Sequence, residues 1–90
     1  MDCNHSADVT RRLARIAGQV NGIREMVLAG RTCDDILMQM SSASSALTQV
    51  ARLILAEHLE HCVLEGAQSG DLAGAVENLK HSLDQFAKMK

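Results

Sequence analysis

The stretch from Thr32 to Gly66 has no internal glycine or proline, and its apolar residues recur at alternating steps of four and three. This spacing predicts one helix that packs against other helices at shallow angles. Thr32 is a suitable N-cap, and Asp34 and Asp35 would complement the dipole in the first turn. We expect Gly66 to end this helix, which gives it about 30 residues and a length on the order of 50 Å. The positions with this spacing are Ile36, Met40, Ala43, Leu47, Val50 and Ile54, and His58 follows Ile54 by one further step of four.

Two shorter helices are predicted on either side of the long one. The same spacing covers Asp8–Val27 before it and Leu72–Phe86 after it. Gly30 is a stop signal for the first helix, and Ser69–Asp71 predicts a turn and an N-cap for the third. One aromatic residue, no proline and 47% apolar residues also favour helices over strands. We therefore predict an all-α protein.

The length of 90 residues and the net charge of −2 limit the possible functions. We assign residues 1–90 to one small domain, with residues 1–7 as a flexible tail. A core of this size is marginal, so we expect an oligomer. Duplex binding normally leaves a basic footprint, so contact with DNA would depend on where individual arginines lie. Because no membrane-spanning run or signal peptide is recognisable, we expect a cytoplasmic protein without membrane partners.

His58 and Cys62 form the strongest candidate for a chemical site. They are four residues apart, so both side chains lie on one helical face within reach of one metal ion. The simpler interpretation is a histidine and a cysteine on a partly buried face. However, His58 extends the apolar face by one step of four beyond Ile54, and buried polar groups need partners. Cys33 lies roughly 37 Å away along the helix, so it can join the pair only from a second subunit.

An antiparallel pair of long helices would bring Cys33 of one subunit opposite His58 and Cys62 of the other. The two-fold axis then falls near Ala46–Leu47. Residues 41–46 beside it are small, so the two backbones can approach closely there. This pairing creates two identical sites, one at each end of the dimer.

The three-ligand set of two thiolates and one imidazole favours Cu(I). Zn(II) usually takes a fourth ligand, and Ni(II) would need a tetragonal set of nitrogen and sulfur donors. The additional donors available for such sets are Cys3, His5 and His61. The sequence contains no catalytic serine–histidine–aspartate set, phosphate-binding glycine loop or HExxH motif, so we do not expect an enzyme.

Three segments resemble the CsoR/RcnR family, the copper-sensing operon repressors and their nickel-, formaldehyde- and persulfide-sensing relatives. The segments are residues 12–23 (RLARIAGQVNGI), 33–41 (CDDILMQMS) and 58–62 (HLEHC). The spacing of Cys33, His58 and Cys62 is similar to the family's copper-sensing pattern. The resemblance implies a three-helix protomer, an antiparallel four-helix-bundle dimer and a tetramer made of two dimers. It also implies a repressor that releases operator DNA when its inducer binds.

The resemblance further implies that basic residues of the first two helices contact DNA. The matching residues in this chain are Arg12 and Arg15, with Arg11 and Arg52 nearby. The alternative for each arginine is an ordinary solvated helix face. Position 49, often basic in the family, is Gln49 here, which reduces the basic surface.

Copper-sensing members often have a tyrosine before the first cysteine ligand and a glutamate in the third helix that orient the ligands. Thr32 stands in the first place and Asn78, beside Glu77, in the second. Because such neighbours tune a metal site, the inducer stays open between Cu(I), Ni(II) and oxidising sulfur species that would join Cys33 to Cys62. The alternative from another class is a copper-buffering or chaperone protein that does not bind DNA.

Overall fold

The computed structural model describes residues 5–89, and all regular structure within them is helical. The helices are α1 (Ala7–Leu28), α2 (Cys33–Ser69) and α3 (Leu72–Ala87). The prediction of an all-α chain with three helices in this order is therefore confirmed. None of these described helices combines the length and the apolar character that crossing a membrane requires.

The first helix begins at Ala7, which is one residue inside the predicted tail. Ser6 occupies the N-cap position, but its side chain makes no capping hydrogen bond. Residues 1–4 lie outside the described part of the chain, so a flexible tail remains a prediction for them.

The predicted signals at Gly30, Thr32 and Asp71 mark the ends of the helices. Gly30 follows α1 with a φ of 72°, a conformation that favours glycine. The Thr32 hydroxyl oxygen accepts a hydrogen bond of 3.2 Å from the Asp35 N–H at the start of α2. The Asp71 carboxylate accepts one of 3.0 Å from the Gly74 N–H at the start of α3. These bonds satisfy donors that the first turn of a helix leaves without partners.

The prediction that Gly66 ends α2 is wrong. The helix continues to Ser69 and contains 37 residues. Gly66 is buried, and a Cβ atom at this position would lie 3.1 Å from the Ala75 Cβ and 3.3 Å from the Leu72 Cδ2 of α3. Its missing side chain therefore permits α3 to pack closely against α2. This packing outweighs the helix propensity of glycine, which is about 1 kcal/mol less favourable than that of alanine.

The described chain divides into two compact units, residues 6–50 and residues 51–89 together with His5. The first unit contains α1 and the beginning of α2, and its buried side chains are Val9, Ile16, Ile23, Ala43 and Val50. The second unit contains the rest of α2 and α3, and its most deeply buried side chain is Cys62, which is 2% exposed. The assignment of the whole chain to a single domain remains a prediction.

Three of the six regularly spaced apolar positions of α1 are buried within the first unit. Val9, Ile16 and Ile23, which are seven residues apart, are at most 8% exposed. The alternate positions are between 40% and 56% exposed, and they are Leu13, Val20 and Val27. An apolar stripe of this kind marks a surface that another chain can cover.

Candidate metal centre and DNA-binding surface

His58 and Cys62 lie together on one face of α2, as their spacing predicts. The Cys62 Sγ is 3.4 Å from the His58 Nε2 and 4.0 Å from the His58 Nδ1. A metal ion bonds nitrogen at about 2.0 Å and sulfur at about 2.3 Å, and these two bonds together are longer than either nitrogen–sulfur distance. One ion can therefore bond both side chains. Cys62 is buried and His58 is half-buried. The pair therefore fits a soft metal ion that prefers thiolate and imidazole ligands.

Asn78 of α3 positions the imidazole of His58. The Asn78 Oδ1 lies 2.8 Å from the His58 Nε2 and 3.8 Å from the Cys62 Sγ. Because an amide oxygen only accepts hydrogen bonds, Nε2 carries the proton in this contact. The other nitrogen, Nδ1, is then the one that can bind a metal ion. Asparagine thus provides the positioning contact that the family resemblance assigns to a glutamate, but it does so without a negative charge.

Cys33, the third predicted ligand, is exposed at the first position of α2. About 25 residues of this helix separate it from His58, which corresponds to roughly 37 Å. Within one chain, residues 5–89 contain no cluster of three or more donors that can hold a metal ion. The described part of a single chain therefore brings two of the three predicted ligands together.

The predicted extra donors are His5, His61 and Cys3, of which Cys3 lies outside the described residues. The His5 Nδ1 is 3.2 Å from the Glu57 Oε1 of α2, and both side chains are at most 25% exposed. The His61 Nε2 is 3.0 Å from the Glu65 Oε2 in a more exposed position. No sequence pattern predicted the His5–Glu57 contact, because the first residues have no periodicity.

Thr32 and Glu77 have partners other than the predicted metal ligands. The Thr32 hydroxyl caps α2. The Glu77 side chain is 76% exposed, and its carboxylate lies 3.5 Å from the Lys80 Nζ. Of the three residues predicted to orient the metal ligands, Asn78 is therefore the one that the structure brings to them.

The four arginines predicted to contact DNA are exposed, but their surroundings differ. Asp8 pairs with both Arg11 and Arg12, and its Oδ2 is 2.9 Å from the Arg12 Nε. The hydrogen bond from Arg12 is the largest cause that holds the pKa of Asp8 below its ordinary value of 3.8. Arg15 and Arg52 have no ion-pair partner within residues 5–89. The i,i+3 and i,i+4 spacings of Asp8 with the two arginines would have predicted these ion pairs.

A family model described as a metal-sensitive transcriptional repressor matches residues 5–88. The chain belongs to this family. The copper-sensing transcriptional repressor CsoR of Bacillus subtilis is 42% identical over 80 residues, which are 89% of this chain and 79% of that protein. The copper-sensing transcriptional repressor RicR of Mycobacterium tuberculosis is 45% identical over 60 residues, which are 67% of this chain and 62% of that protein.

Two solved structures resemble the chain along most of its length. The copper-sensing repressor CsoR with Cu(I) from Geobacillus thermodenitrificans has a TM-score of 0.84 and 35% identity, and the match covers 97% of this chain and 95% of that one. The nickel-responsive transcriptional regulator InrS has a TM-score of 0.83 and 34% identity, and the match covers 96% and 97%.

The family assignment confirms the resemblance seen in the sequence. The chain is a metal-sensing transcriptional repressor, and membership of this family implies binding to operator DNA. Because the family consists of repressors, the prediction that the chain is not an enzyme is also confirmed. The assignment favours the repressor over the alternative of a copper-buffering protein.

Proposed function

We propose that this repressor senses Cu(I) through Cys33 of one subunit and His58 and Cys62 of another, and that it releases operator DNA when the metal binds. The observation that carries the proposal is the His58–Cys62 pair, with 4.0 Å between the His58 Nδ1 and the Cys62 Sγ. The hydrogen bond of Asn78 with the imidazole nitrogen Nε2 orients the ring, and Nδ1 is the nitrogen that would bind the metal. Two thiolates and one imidazole suit Cu(I) better than a harder ion.

The second subunit supplies Cys33, which is exposed at the beginning of α2 and too far along the helix to reach His58 of its own chain. An antiparallel dimer related by a two-fold axis near Ala46–Leu47 meets this requirement. Apolar side chains of both α1 and α2 support such an assembly, because Val20 is 54% exposed and Met40 48% exposed. Two such dimers would form a tetramer.

The proposed metal site links two subunits, and this explains how binding can change the affinity for DNA. An ion held by ligands from both chains favours the arrangement of subunits in which those ligands meet. If that arrangement fits the operator less well, metal binding weakens DNA binding by the same factor as DNA weakens metal binding. A coupling of this kind is typically about 5- to 150-fold.

The proposed operator-binding surface includes Arg12 and Arg15, with Arg11 and Arg52 as further contacts. All four are exposed, and within residues 5–89 Arg15 and Arg52 have no carboxylate in ion-pair contact. Arginines placed this way can donate hydrogen bonds to phosphate oxygens. We infer that the protein acts in the cytoplasm, because its proposed target is operator DNA.

Ni(II) is the second candidate inducer, and one contact favours it. His5 lies against Glu57, beside the turn of α2 that carries His58. A nearby imidazole could complete a four-ligand set with His58, Cys62 and Cys33 of the other subunit. The nickel-responsive regulator InrS also resembles the chain, with a TM-score of 0.83. A third candidate is an oxidising sulfur species that links Cys33 to Cys62 between chains.

A DNA-shift assay with the region upstream of the repressor's own gene tests the proposal. We expect the metal-free protein to bind this duplex and Cu(I) to weaken binding by about 5- to 150-fold. His58→Ala should remain bound in the presence of Cu(I), whereas the matched control His61→Ala should respond like the wild type. Release by Ni(II) but not by Cu(I) would favour the second candidate, and an absence of DNA binding in every state would exclude the function.

A further inference from the structure

The beginning of α1 carries a cluster of one acidic and two basic side chains. The carboxylate of Asp8 pairs with the guanidinium groups of Arg11 and Arg12 at once. The side chains of Arg11 and Arg12 are 68% and 50% exposed, whereas that of Asp8 is 34% exposed. The guanidinium groups therefore face solvent more than the carboxylate that they share.

Asp8 offsets half of the positive charge of the two arginines. The three side chains together carry one net positive charge, in a chain whose formal net charge is −2. Hydrogen bonds from Arg12 and Arg11 hold the pKa of Asp8 below its ordinary value of 3.8, so the carboxylate is ionised at neutral pH. The guanidinium N–H groups that bond Asp8 are of the kind that bond phosphate oxygens.

We propose that Asp8 is an internal counter-charge that lowers the affinity of Arg11 and Arg12 for the phosphates of DNA. This inference rests on the proposed function, in which the beginning of α1 contacts operator DNA. Basic residues provide the affinity for DNA in that proposal. The inference adds an acidic residue that limits this affinity.

The geometry indicates that Asp8 competes with phosphate groups for the two arginines and does not hold the arginines in place for DNA. Asp8 carries the same sign of charge as a phosphate group and would repel one that approaches the arginines. Exposed ion pairs are weak, so a phosphate can replace the carboxylate as a partner. A carboxylate that positioned the arginines firmly would need a buried, rigid network, and these three side chains are all partly exposed.

A limited affinity is useful to a repressor that must be released. Metal binding changes DNA affinity by a finite factor, typically about 5- to 150-fold. If the metal-free protein bound DNA too tightly, this factor would leave the operator occupied at the protein concentration in the cell. Asp8 would keep the affinity within the range that metal binding can switch.

Fluorescence anisotropy with the metal-free full-length protein tests the role of Asp8. The probes are a labelled duplex of the upstream region and a scrambled duplex of the same length, each titrated at several salt concentrations. We expect Asp8→Asn to bind both duplexes roughly three- to tenfold more tightly, with a salt slope steeper by up to about 0.9. Asp8→Glu keeps the charge and should stay within about twofold of the wild type.

Glu25→Gln is the matched control, because it removes one negative charge from the same helix. Glu25 pairs with Arg24 at 3.1 Å, and both side chains are more than 60% exposed. This variant should stay within about twofold of the wild type, since screening limits long-range effects of surface charge. Because a neutral residue in the first turn can weaken a helix, Asp8→Ser serves as a second neutral variant, and circular dichroism verifies the fold of each.

The outcomes separate the two proposals. In one outcome the wild type binds DNA, and the folded Asp8→Asn and Asp8→Ser variants bind it no more tightly than the wild type does. Asp8 would then position the arginines or have no role in DNA binding. This outcome refutes the inference and leaves the proposed function intact. An equal gain in Glu25→Gln would also refute it, because net charge would then explain the effect. A wild type that binds neither duplex would refute the proposed function and, with it, the inference.

Discussion

Replacement of Asn78 by alanine should weaken metal binding by a predictable amount. The substitution removes the amide oxygen that lies 2.8 Å from the His58 Nε2. A hydrogen bond of this kind contributes about 0.5–1.5 kcal/mol net. Its loss also lets the imidazole rotate and exchange tautomers, so the proton can move to Nδ1 and block the metal ligand. Substitution of a residue that orients metal ligands typically weakens metal affinity by about 10- to 100-fold, which is roughly 1.4–2.7 kcal/mol.

The assay is an anaerobic titration of Cu(I) against a chromogenic chelator of known affinity. We expect Asn78→Ala to bind Cu(I) about 10- to 100-fold more weakly than the wild type. Asn78→Asp retains an oxygen acceptor for the same N–H group and should recover most of the affinity. Glu77→Ala is the control, because its side chain is 76% exposed and pairs with Lys80. An affinity of Asn78→Ala within about twofold of the wild type would refute the positioning role.

Three further predictions concern stability and titration. Gly66→Ala should lower the free energy of unfolding by up to about 2 kcal/mol, because crowding of its Cβ, 3.1 Å from that of Ala75, costs about 1–3 kcal/mol and the gain in helix propensity returns about 1 kcal/mol. At Gly18 no atom lies within 4 Å of an added Cβ, so Gly18→Ala should raise the free energy of unfolding by about 0.5–1 kcal/mol. Urea unfolding should therefore show changes of opposite sign for the two glycine variants. Asp71→Ala should cost about 1 kcal/mol in the same assay through loss of its bond to the Gly74 N–H; no change would contradict the capping role. The carboxyl of Asp8 should titrate below 3.8 by NMR, and Arg12→Gln should raise its pKa. Because this pKa is depressed, the contribution of Asp8 to stability is present above pH 3.8 and is lost as the pH falls through the pKa of Asp8 in the folded protein. An Asp8 titration midpoint that does not change in Arg12→Gln would argue against the ion pair.

The helix ends were predictable where their causes are local. Gly30 can adopt a positive φ, and the side chains of Thr32 and Asp71 can reach N–H groups three residues ahead. Each cause acts within one turn of chain, so the sequence contains the whole signal. Gly66 failed as a stop signal because its role depends on α3, which packs where a side chain would otherwise be. Propensity could not reveal that contact.

The candidate site shows the same division between local and distant causes. The closeness of His58 and Cys62 follows from four residues of helix spacing and was predicted. Family resemblance identified Asn78 as a position of interest, but its bond to His58 depends on how α3 packs against α2. The contact of His5 with Glu57 links residues that are 52 positions apart, and no periodicity pointed to it.

A mixed oligomer tests the shared metal site most directly. Cys33→Ala and Cys62→Ala protomers, carrying different affinity tags, are produced together, and the oligomer that contains both is purified. Each variant alone should lose tight Cu(I) binding. The mixed dimer should recover one tight site, made by Cys33 of one chain with His58 and Cys62 of the other. A mixed dimer that binds no better than its parents, or a Cys33→Ala protein that binds as tightly as the wild type, would contradict a site shared between subunits.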